Sequence, residues 1–165
     1  MAKVTITDNS SQAATYKKTG IGNTLLGLYD RGGQIKAKPF TYTNNTGAAI
    51  AAGSYIELCS VGPCRILPNS SVSTSALGAA RVLNLGLQEY TDRNGAVTAQ
   101  AAANLLSALD VSAAVTQKLL GSDANSATIG AGLDVTGPTA VLAQVTGGTI
   151  PAGATINGVI EVIEN

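Results

Sequence analysis

From Pro39 to the end of the chain, short apolar segments alternate with turn signals at intervals of about ten residues. The segments are rich in β-branched residues, and the breaks contain the Asn, Gly and Pro residues that tight turns favour. No regular alternation of strands with helices indicates a doubly wound parallel sheet. We therefore predict a mainly β body over residues 39–165, either an antiparallel β-sandwich of jelly-roll-like form or a small β-barrel.

Individual strands are predicted from alternating apolar and polar residues. In the segment that begins at Ser54, Ile56 and Leu58 share one face, so that face is expected to lie on the core. The sequence Asn44–Gly47 is typical of a turn because Asn and Gly tolerate positive φ. The predicted strands cover residues 40–43, 54–59, 65–67, 80–87, 140–146 and 155–164, with further turns at 68–70, 91–95 and 150–154.

One short helix is predicted at residues 98–109. The segment is rich in Ala and Leu, contains no Gly or Pro, and begins with Thr98, which can cap a first turn. Leu105, Leu106 and Leu109 would lie on one helical face. A second short segment is expected from Asp110 to Leu120, where the following glycine ends it.

Residues 1–38 do not resemble a packed domain. Five glycines within residues 20–33 oppose both a helix and a long strand. We predict an extended N-terminal arm that becomes ordered against a partner, in which Leu25, Leu26 and Tyr29 act as apolar anchors. The competing interpretation is a loop packed on its own domain.

The charge of the chain is unevenly distributed. Residues 1–38 carry six positive and two negative side chains, a net charge of +4, whereas the remainder carries four positive and eight negative side chains, a net charge of −4. A basic arm beside an acidic body favours attraction of the arm to an acidic protein surface, although the charges could equally be ordinary solvated groups. The residues expected to contact the partner are Lys3, Lys17, Lys18, Leu25, Leu26, Tyr29, Arg31, Lys36 and Lys38.

Cys59 and Cys64 are the two cysteines of the chain. Two thiols without histidine do not make an ordinary zinc site, and their spacing is not that of a redox motif. The residues between them, Val61–Pro63, predict a turn, so the thiols could face each other across a hairpin. They could form a disulfide in an oxidising medium or stay reduced in the cytosol.

The residues offer little for catalysis or for nucleic-acid binding. The chain has no histidine, which removes the commonest general base and metal ligand. Asp110 and Glu89 are candidate catalytic carboxylates by residue type alone. A net charge of zero and few aromatics argue against a nucleic-acid partner, and no apolar stretch approaches the roughly 18 residues of a membrane span. We predict a protein that is not an enzyme and needs no cofactor or metal.

Three segments give the chain a resemblance to a known family. They are Gly53–Pro63, then Ala80–Asp92 with the turn at Gly95 and Asn104–Ser112, and finally Val145–Ala154. In these segments the chain resembles the small head decoration proteins, or capsid cement proteins, of tailed bacteriophages. Residues 1–38 share nothing with that family.

The resemblance implies a β-rich body on the outside of an icosahedral shell, commonly as a trimer, that clamps the major capsid protein without turnover or cofactor. The chain would be made in the host cytoplasm and function in the virion. Two other functions remain open. A receptor- or carbohydrate-binding module of a phage fibre would need a cluster of exposed aromatics, and a hydrolase would depend on carboxylates alone.

Overall fold

The computed structural model describes residues 35–122 and 132–164, and these form two antiparallel sheets and a small hairpin. No helix in this part of the chain is both long and apolar enough to span a membrane. The strands are β1 (Ile35–Thr43), β2 (Tyr55–Val61), β3 (Cys64–Ile66), β4 (Ser71–Thr74), β5 (Val82–Leu87), β6 (Tyr90–Thr91), β7 (Val97–Thr98), β8 (Ala101–Asp110), β9 (Val115–Leu119), β10 (Leu133–Val135), β11 (Thr139–Thr146) and β12 (Thr155–Glu164), and a 3-10 turn covers Leu120–Ser122.

The first sheet is built around β12, which with ten residues is its longest strand. Along one edge β12 pairs with all nine residues of β1, from Ile35 opposite Ile163 to Thr43 opposite Thr155. Its other edge is shared in succession by β4 and β3, which continue outward to β9 and β10 respectively. This division lets two short strands extend the sheet beside one long strand.

The second sheet has the order β2-β11-β5-β8 and packs against the first across one apolar core. The alternation of β5 is typical: Leu83 and Leu85 are fully buried, and the intervening Asn84 is not. The fully buried large side chains come from both sheets and their connections: Ile66, Val72, Leu77, Leu83, Leu85, Leu105, Leu106, Leu120, Ile150, Ile156 and Ile160. The mainly β, antiparallel, sandwich-like body predicted from the sequence is therefore confirmed.

The helix predicted at residues 98–109 is wrong. Residues 101–110 form β8, which pairs with β5 through Leu85 opposite Leu106 and Leu83 opposite Leu109. The register of this pairing shifts twice. The backbone of Ala101 and Ala102 lies so close to Gly86 that a Cβ on Gly86 would collide with that backbone. Helix propensity among Ala and Leu is a weak local preference, and pairing with an apolar strand overrides it.

The second predicted segment, 110–120, is also a strand for the most part. Val115–Leu119 form β9, which pairs with β4, and Leu120 follows in the 3-10 turn. The strands β4 and β10 were not predicted from the sequence, because both are short and β4 alternates serine with valine and threonine. The long strand β12 supplies the ladder for β4, whereas β10 pairs with β3, which is equally short and is itself paired with β12.

The first strand begins at Ile35, within the segment that the sequence analysis assigns to the arm. Residues 35–38 pair with β12 like the rest of β1, and residues 1–34 lie outside the described part of the chain. Pro39 sits in the middle of β1, which is an edge strand in this part of the chain. Proline is tolerated there because its missing N–H would face away from the sheet.

Candidate interaction surfaces

The described charged residues are concentrated at one end of the sandwich. Ile35 and Glu164 lie at this end, which we call the terminal end, and the connections 44–54, 75–81, 111–114 and 147–154 form the opposite end, which we call the loop end. Glu57 and Lys118 lie midway along their strands, and the loop end holds Arg81 and Asp110. The other nine are at the terminal end: Lys36, Lys38, Arg65, Glu89, Asp92, Arg93, Asp134, Glu161 and Glu164.

The terminal end is closed by ion pairs between side chains. Lys36 and Lys38 both contact the carboxylate of Glu164, the latter with Nζ 3.6 Å from Oε1. On the outer side of the first sheet, Arg65 lies 3.7 Å from Asp134. Both lysines lower the pKa of Glu164 below its ordinary value, with the hydrogen bond from Lys36 as the largest cause.

The positions of the two lysines follow from strand alternation. Lys36 and Lys38 share a face of β1 with Phe40, which is buried in the core. Glu164 likewise shares a face of β12 with Val162. The three charges therefore sit at the mouth of the interior, where Nζ of Lys38 also donates to the carbonyl of Ser60 on the opposite sheet, at 3.4 Å. They close the open end of the sandwich.

The nine residues predicted to contact a partner fall into two groups. Lys36 and Lys38 belong to the body and are paired within it. The other seven, from Lys3 to Arg31, lie outside the described residues. Residues 1–34 carry four positive and two negative side chains, so the arm without β1 has a net charge of +2 rather than +4.

The loop end is covered by small uncharged side chains. Four Ala-Ala pairs occur in its connections, and together with Ala76 and Ala152 they give ten exposed alanines. The exposed alanines are Ala48, Ala49, Ala51, Ala52, Ala76, Ala79, Ala80, Ala113, Ala114 and Ala152. This surface was not predicted from the sequence, although the repeated Ala-Ala pairs were a signal of it.

Asn44 locks two of these connections together. Its side chain is 1% exposed, and its Nδ2 donates to the carbonyls of Ala48, Ile150 and Pro151 at 2.9 to 3.1 Å. Its Oδ1 accepts from the hydroxyl of Thr46 at 2.7 Å. A buried amide with each of its groups paired holds the backbone around it in one arrangement.

The other two connections are joined through Arg81. The backbone N–H of Val111 donates to the carbonyl of Arg81, and that of Leu77 to the carbonyl of Val111, at 3.1 and 2.9 Å. The guanidinium of Arg81 donates to the carbonyl of Leu77 and fits between Gly78 and Gly148, where a Cβ would collide with it. Its Nε is buried without a hydrogen-bond partner.

The second of these connections contains a residue with an unusual backbone conformation. Ala80 has a φ of 58°, a left-handed conformation that costs an L-residue roughly 1 kcal/mol. Gly147, with a φ of 80°, lies so close to the carbonyl of Ala80 that a Cβ there would collide with it. All four connections of the loop end are thus tied to one another.

The two cysteines lie in different sheets. Cys59 belongs to β2 and Cys64 to β3, so the segment 61–64 connects the two sheets, and the predicted hairpin is wrong. Both thiols are free. Burial raises the pKa of both, that of Cys64 to about 11, against an opposing effect of Lys38. The thiols are therefore protonated and weakly nucleophilic at neutral pH.

Two solved structures have similar folds. A chain in the capsid of Ralstonia phage GP4 aligns with a TM-score of 0.57 and 20% identity, over 81% of this chain and 86% of that chain. A chain of the cyanophage Pam1 capsid asymmetric unit aligns with a TM-score of 0.55 and 19% identity, with the same coverage. The fold is one found in phage capsids. No family model matches the chain, and no curated protein is similar to it in sequence.

The residues considered for other functions are not brought together in this capsid-type fold. Glu89 follows β5 at the terminal end, whereas Asp110 ends β8 at the loop end. Among the described residues, no three His, Cys, Asp or Glu side chains group as metal ligands. Of the aromatic side chains in residues 35–122 and 132–164, Tyr55 alone is exposed, so this part of the chain carries no cluster for stacking on sugars.

Proposed function

We propose that this protein is a structural component of a tailed-phage head, and that it decorates the outer surface of the shell as a cement protein. The observation that carries the proposal is the fold, which matches chains of two phage capsids over most of both partners. The alignment covers 81% of this chain and 86% of each capsid chain, so the similarity extends over most of the sandwich rather than a fragment of it.

The distribution of charge supports a role in binding rather than in catalysis. The ion pairs of the terminal end hold the start of β1 against β12, and residues 1–34 are joined to the body through this start of β1. We expect those residues, with their excess of two positive charges, to lie along an acidic surface of the major capsid protein. Leu25, Leu26 and Tyr29 would supply the buried area that offsets the cost of ordering the arm.

Co-sedimentation with phage heads assembled without this chain tests the proposal. The full-length chain should pellet with the heads and saturate, and the decorated heads should resist heating better than the bare ones. If the full-length chain stays in the supernatant at concentrations near 10 µM, the decoration role is wrong.

The role of the arm is tested by deleting residues 1–34. The truncation stops before β1, so it keeps every strand of the described residues and should fold. We expect its affinity for heads to fall by at least about tenfold. A matched full-length variant, in which Lys3, Lys17, Lys18 and Arg31 are changed to Gln, separates charge from length. Equal binding by the truncated and complete chains would show that residues 1–34 have no role in binding to heads.

A further inference from the structure

The first half of β1 reverses the alternation that is usual in the sheet of a sandwich. Lys36 and Lys38 point toward the interior, whereas Ile35, Ala37 and Pro39 point outward and are exposed, Ile35 at 60%. In an antiparallel sheet with one solvated face, apolar side chains normally lie on the core side and polar side chains on the water side. The reversal indicates that the outward side of this half-strand is covered in the working protein.

The outward side of β12 continues the same apolar surface. Ile163 lies opposite Ile35, and Val159 lies opposite Pro39. Ile163 is 3% exposed, yet it points away from the core to which its neighbour Val162 belongs. We call this surface the outer stripe, and it consists of Ile35, Ala37, Pro39, Val159 and Ile163.

The outer stripe ends within β1. Thr41 and Thr43 take the next outward positions, and Asn157 lies opposite Thr41 on β12. From Ile35 to Pro39 the stripe is about 14 Å long, since a strand rises about 3.4 Å per residue. The apolar surface is therefore confined to the half of the strand that is joined to the arm.

The sequence before β1 contains a segment that matches the outer stripe. Residues 25–29 are three leucines, a glycine and a tyrosine, and they also span about 14 Å when extended. Residues 30–34 link this segment to Ile35, so Tyr29 stays within about 20 Å of the start of the stripe. The link contains Gly32 and Gly33, a pair that favours a reversal of chain direction.

The short link also decides which occupant prevails in the free protein. A segment tethered by a few residues has an effective concentration of about 1 mM at its site, well above the concentration of a separate partner in the micromolar range. Residues 25–29 therefore reach the outer stripe before another protein does.

One charge beside the outer stripe suits the link. Glu161 lies opposite Ala37 on the outward side of β12, and none of the ion pairs among the described residues includes it. Arg31 lies four residues before Ile35, within reach of Glu161 once the chain turns back. A pair between the guanidinium and the carboxylate would fix the direction of the turn.

We propose that in the free protein residues 25–29 fold back over the outer stripe of the same chain, with Arg31 paired to Glu161. The stripe then shields the apolar anchors of the arm from water until a phage head is met. Binding to a head requires the anchors to leave the stripe, and this second step rests on the proposed function, whereas the contact within the chain does not.

The first test is hydrogen exchange of the backbone amides of residues 25–29 in the free full-length protein. We expect exchange at least about tenfold slower than in an unfolded chain, at a rate that does not depend on protein concentration. Exchange at the rate of an unfolded chain would overturn the inference. Protection that appears only at high concentration would also overturn it, because the stripe would then be covered by a second copy.

A matched pair of variants shows whether the outer stripe causes the protection. Ala37→Lys places a charge in the middle of the stripe and should return residues 25–29 to fast exchange. Thr41→Lys places the same charge on the same outward side beyond the stripe, and it should keep the slow exchange. Circular dichroism confirms that both variants are folded, and equal exchange in the two would contradict the inference.

The ion pair has a smaller expected effect. Glu161→Gln should speed the exchange of residues 25–29 by about threefold, as expected for the loss of one exposed pair. Glu57→Gln removes an exposed carboxylate from the other sheet and should leave the exchange unchanged. Equal effects of the two substitutions would exclude a specific pair between Arg31 and Glu161.

Cross-linking gives a direct readout of proximity. Mild oxidation of the double variant Leu28→Cys with Ala37→Cys should close a disulfide within one chain, whereas Leu28→Cys with Thr41→Cys should not. The native thiols contribute little background because one is buried and the other half-buried, and burial raises the pKa of both. Equal cross-linking in the two double variants, or none in either, would contradict a seat on the outer stripe.

Co-sedimentation with heads separates this inference from the proposed function. Ala37→Lys should bind heads at least about threefold more tightly than Thr41→Lys, because its anchors have no competing site on their own chain. Weaker binding by Ala37→Lys would mean that the stripe itself contacts the shell, and would overturn the exchange of partners. Slow amide exchange in a chain that binds no heads would overturn the decoration role and leave the contact within the chain in place.

Discussion

The two ends of the sandwich close the same core by different means. At the terminal end, long charged side chains pair across the mouth of the interior, as Lys36 and Lys38 do with Glu164. At the loop end, backbone hydrogen bonds and the buried amide of Asn44 hold short side chains in place. The first arrangement is exposed and screened by salt, and the second is buried and independent of it. The loop end is therefore held closed without charged side chains, and we expect its contacts to contribute more to stability than the ion pairs of the terminal end.

The largest effect should come from a glycine at the loop end. In Gly147→Ala, the new methyl group would collide with the carbonyl of Ala80, and the residue would keep a φ of 80°. We expect a loss of about 4 kcal/mol in the free energy of unfolding, measured with urea. The matched change at the terminal end is Gly62→Ala, where a Cβ meets nothing within 4 Å, and it should stay within about 0.5 kcal/mol of wild type. Similar losses for the two variants would contradict the contrast between the ends.

Removing the amide of Asn44 should have the next largest effect. Asn44→Ala deletes the donors to three carbonyls and the acceptor for Thr46, and should reduce the free energy of unfolding by about 2 kcal/mol. Asn45→Ala changes the adjacent exposed asparagine and serves as the control, with an expected effect below about 0.5 kcal/mol. A neutral Asn44→Ala would mean that the loop end is held by its backbone alone.

A smaller effect of opposite sign is expected at Ala80. Its left-handed φ of 58° is unfavourable for alanine but not for glycine. Glycine also makes the unfolded chain more flexible, which offsets part of this gain, so Ala80→Gly should stabilise the protein by about 0.5 kcal/mol. The neighbouring Ala79 has no positive φ, and Ala79→Gly should destabilise the protein slightly. Thermal melts of the two variants should therefore move in opposite directions.

The smallest effect should come from the terminal end. The pKa of Glu164 is lowered in the folded protein, so its contribution to stability is present above the unfolded value near 4.5 and is lost as pH falls through the folded pKa. Glu164→Gln should therefore melt slightly below wild type at pH 7, and the two melting temperatures should converge as the pH falls below 4. High salt should shrink the difference at pH 7. A difference that persists at low pH would place the role of Glu164 in packing rather than in charge.

Much of the body could be predicted from the sequence, and the failures have physical causes. Phe40, Ile56 and the strands from 140 to 164 were identified because alternation and turn residues are local signals. The strand β8 was missed because Ala and Leu favour a helix locally, and only the distant pairing with β5 determines the outcome.

The interaction surfaces were harder to predict than the fold. The sequence indicates that Lys36 and Lys38 are basic, but their pairing with Glu164 joins opposite ends of the chain and depends on the register of β1 with β12. The loop end likewise exists only after four separate connections meet. Each connection carries alanines that indicate nothing by themselves. The shared lack of charge in the four connections is recognised only when the fold brings them to one end of the sandwich.

The central claim, that this sandwich binds to the outside of a phage head, is tested most directly by the number of chains bound to each head. Purified heads that lack this chain should be mixed with increasing amounts of it, pelleted, and assayed for bound protein. We predict saturation at a fixed number of copies per head, and an affinity at least about tenfold lower for the variant without residues 1–34. Binding that rises without saturation, or an empty pellet, would contradict the account.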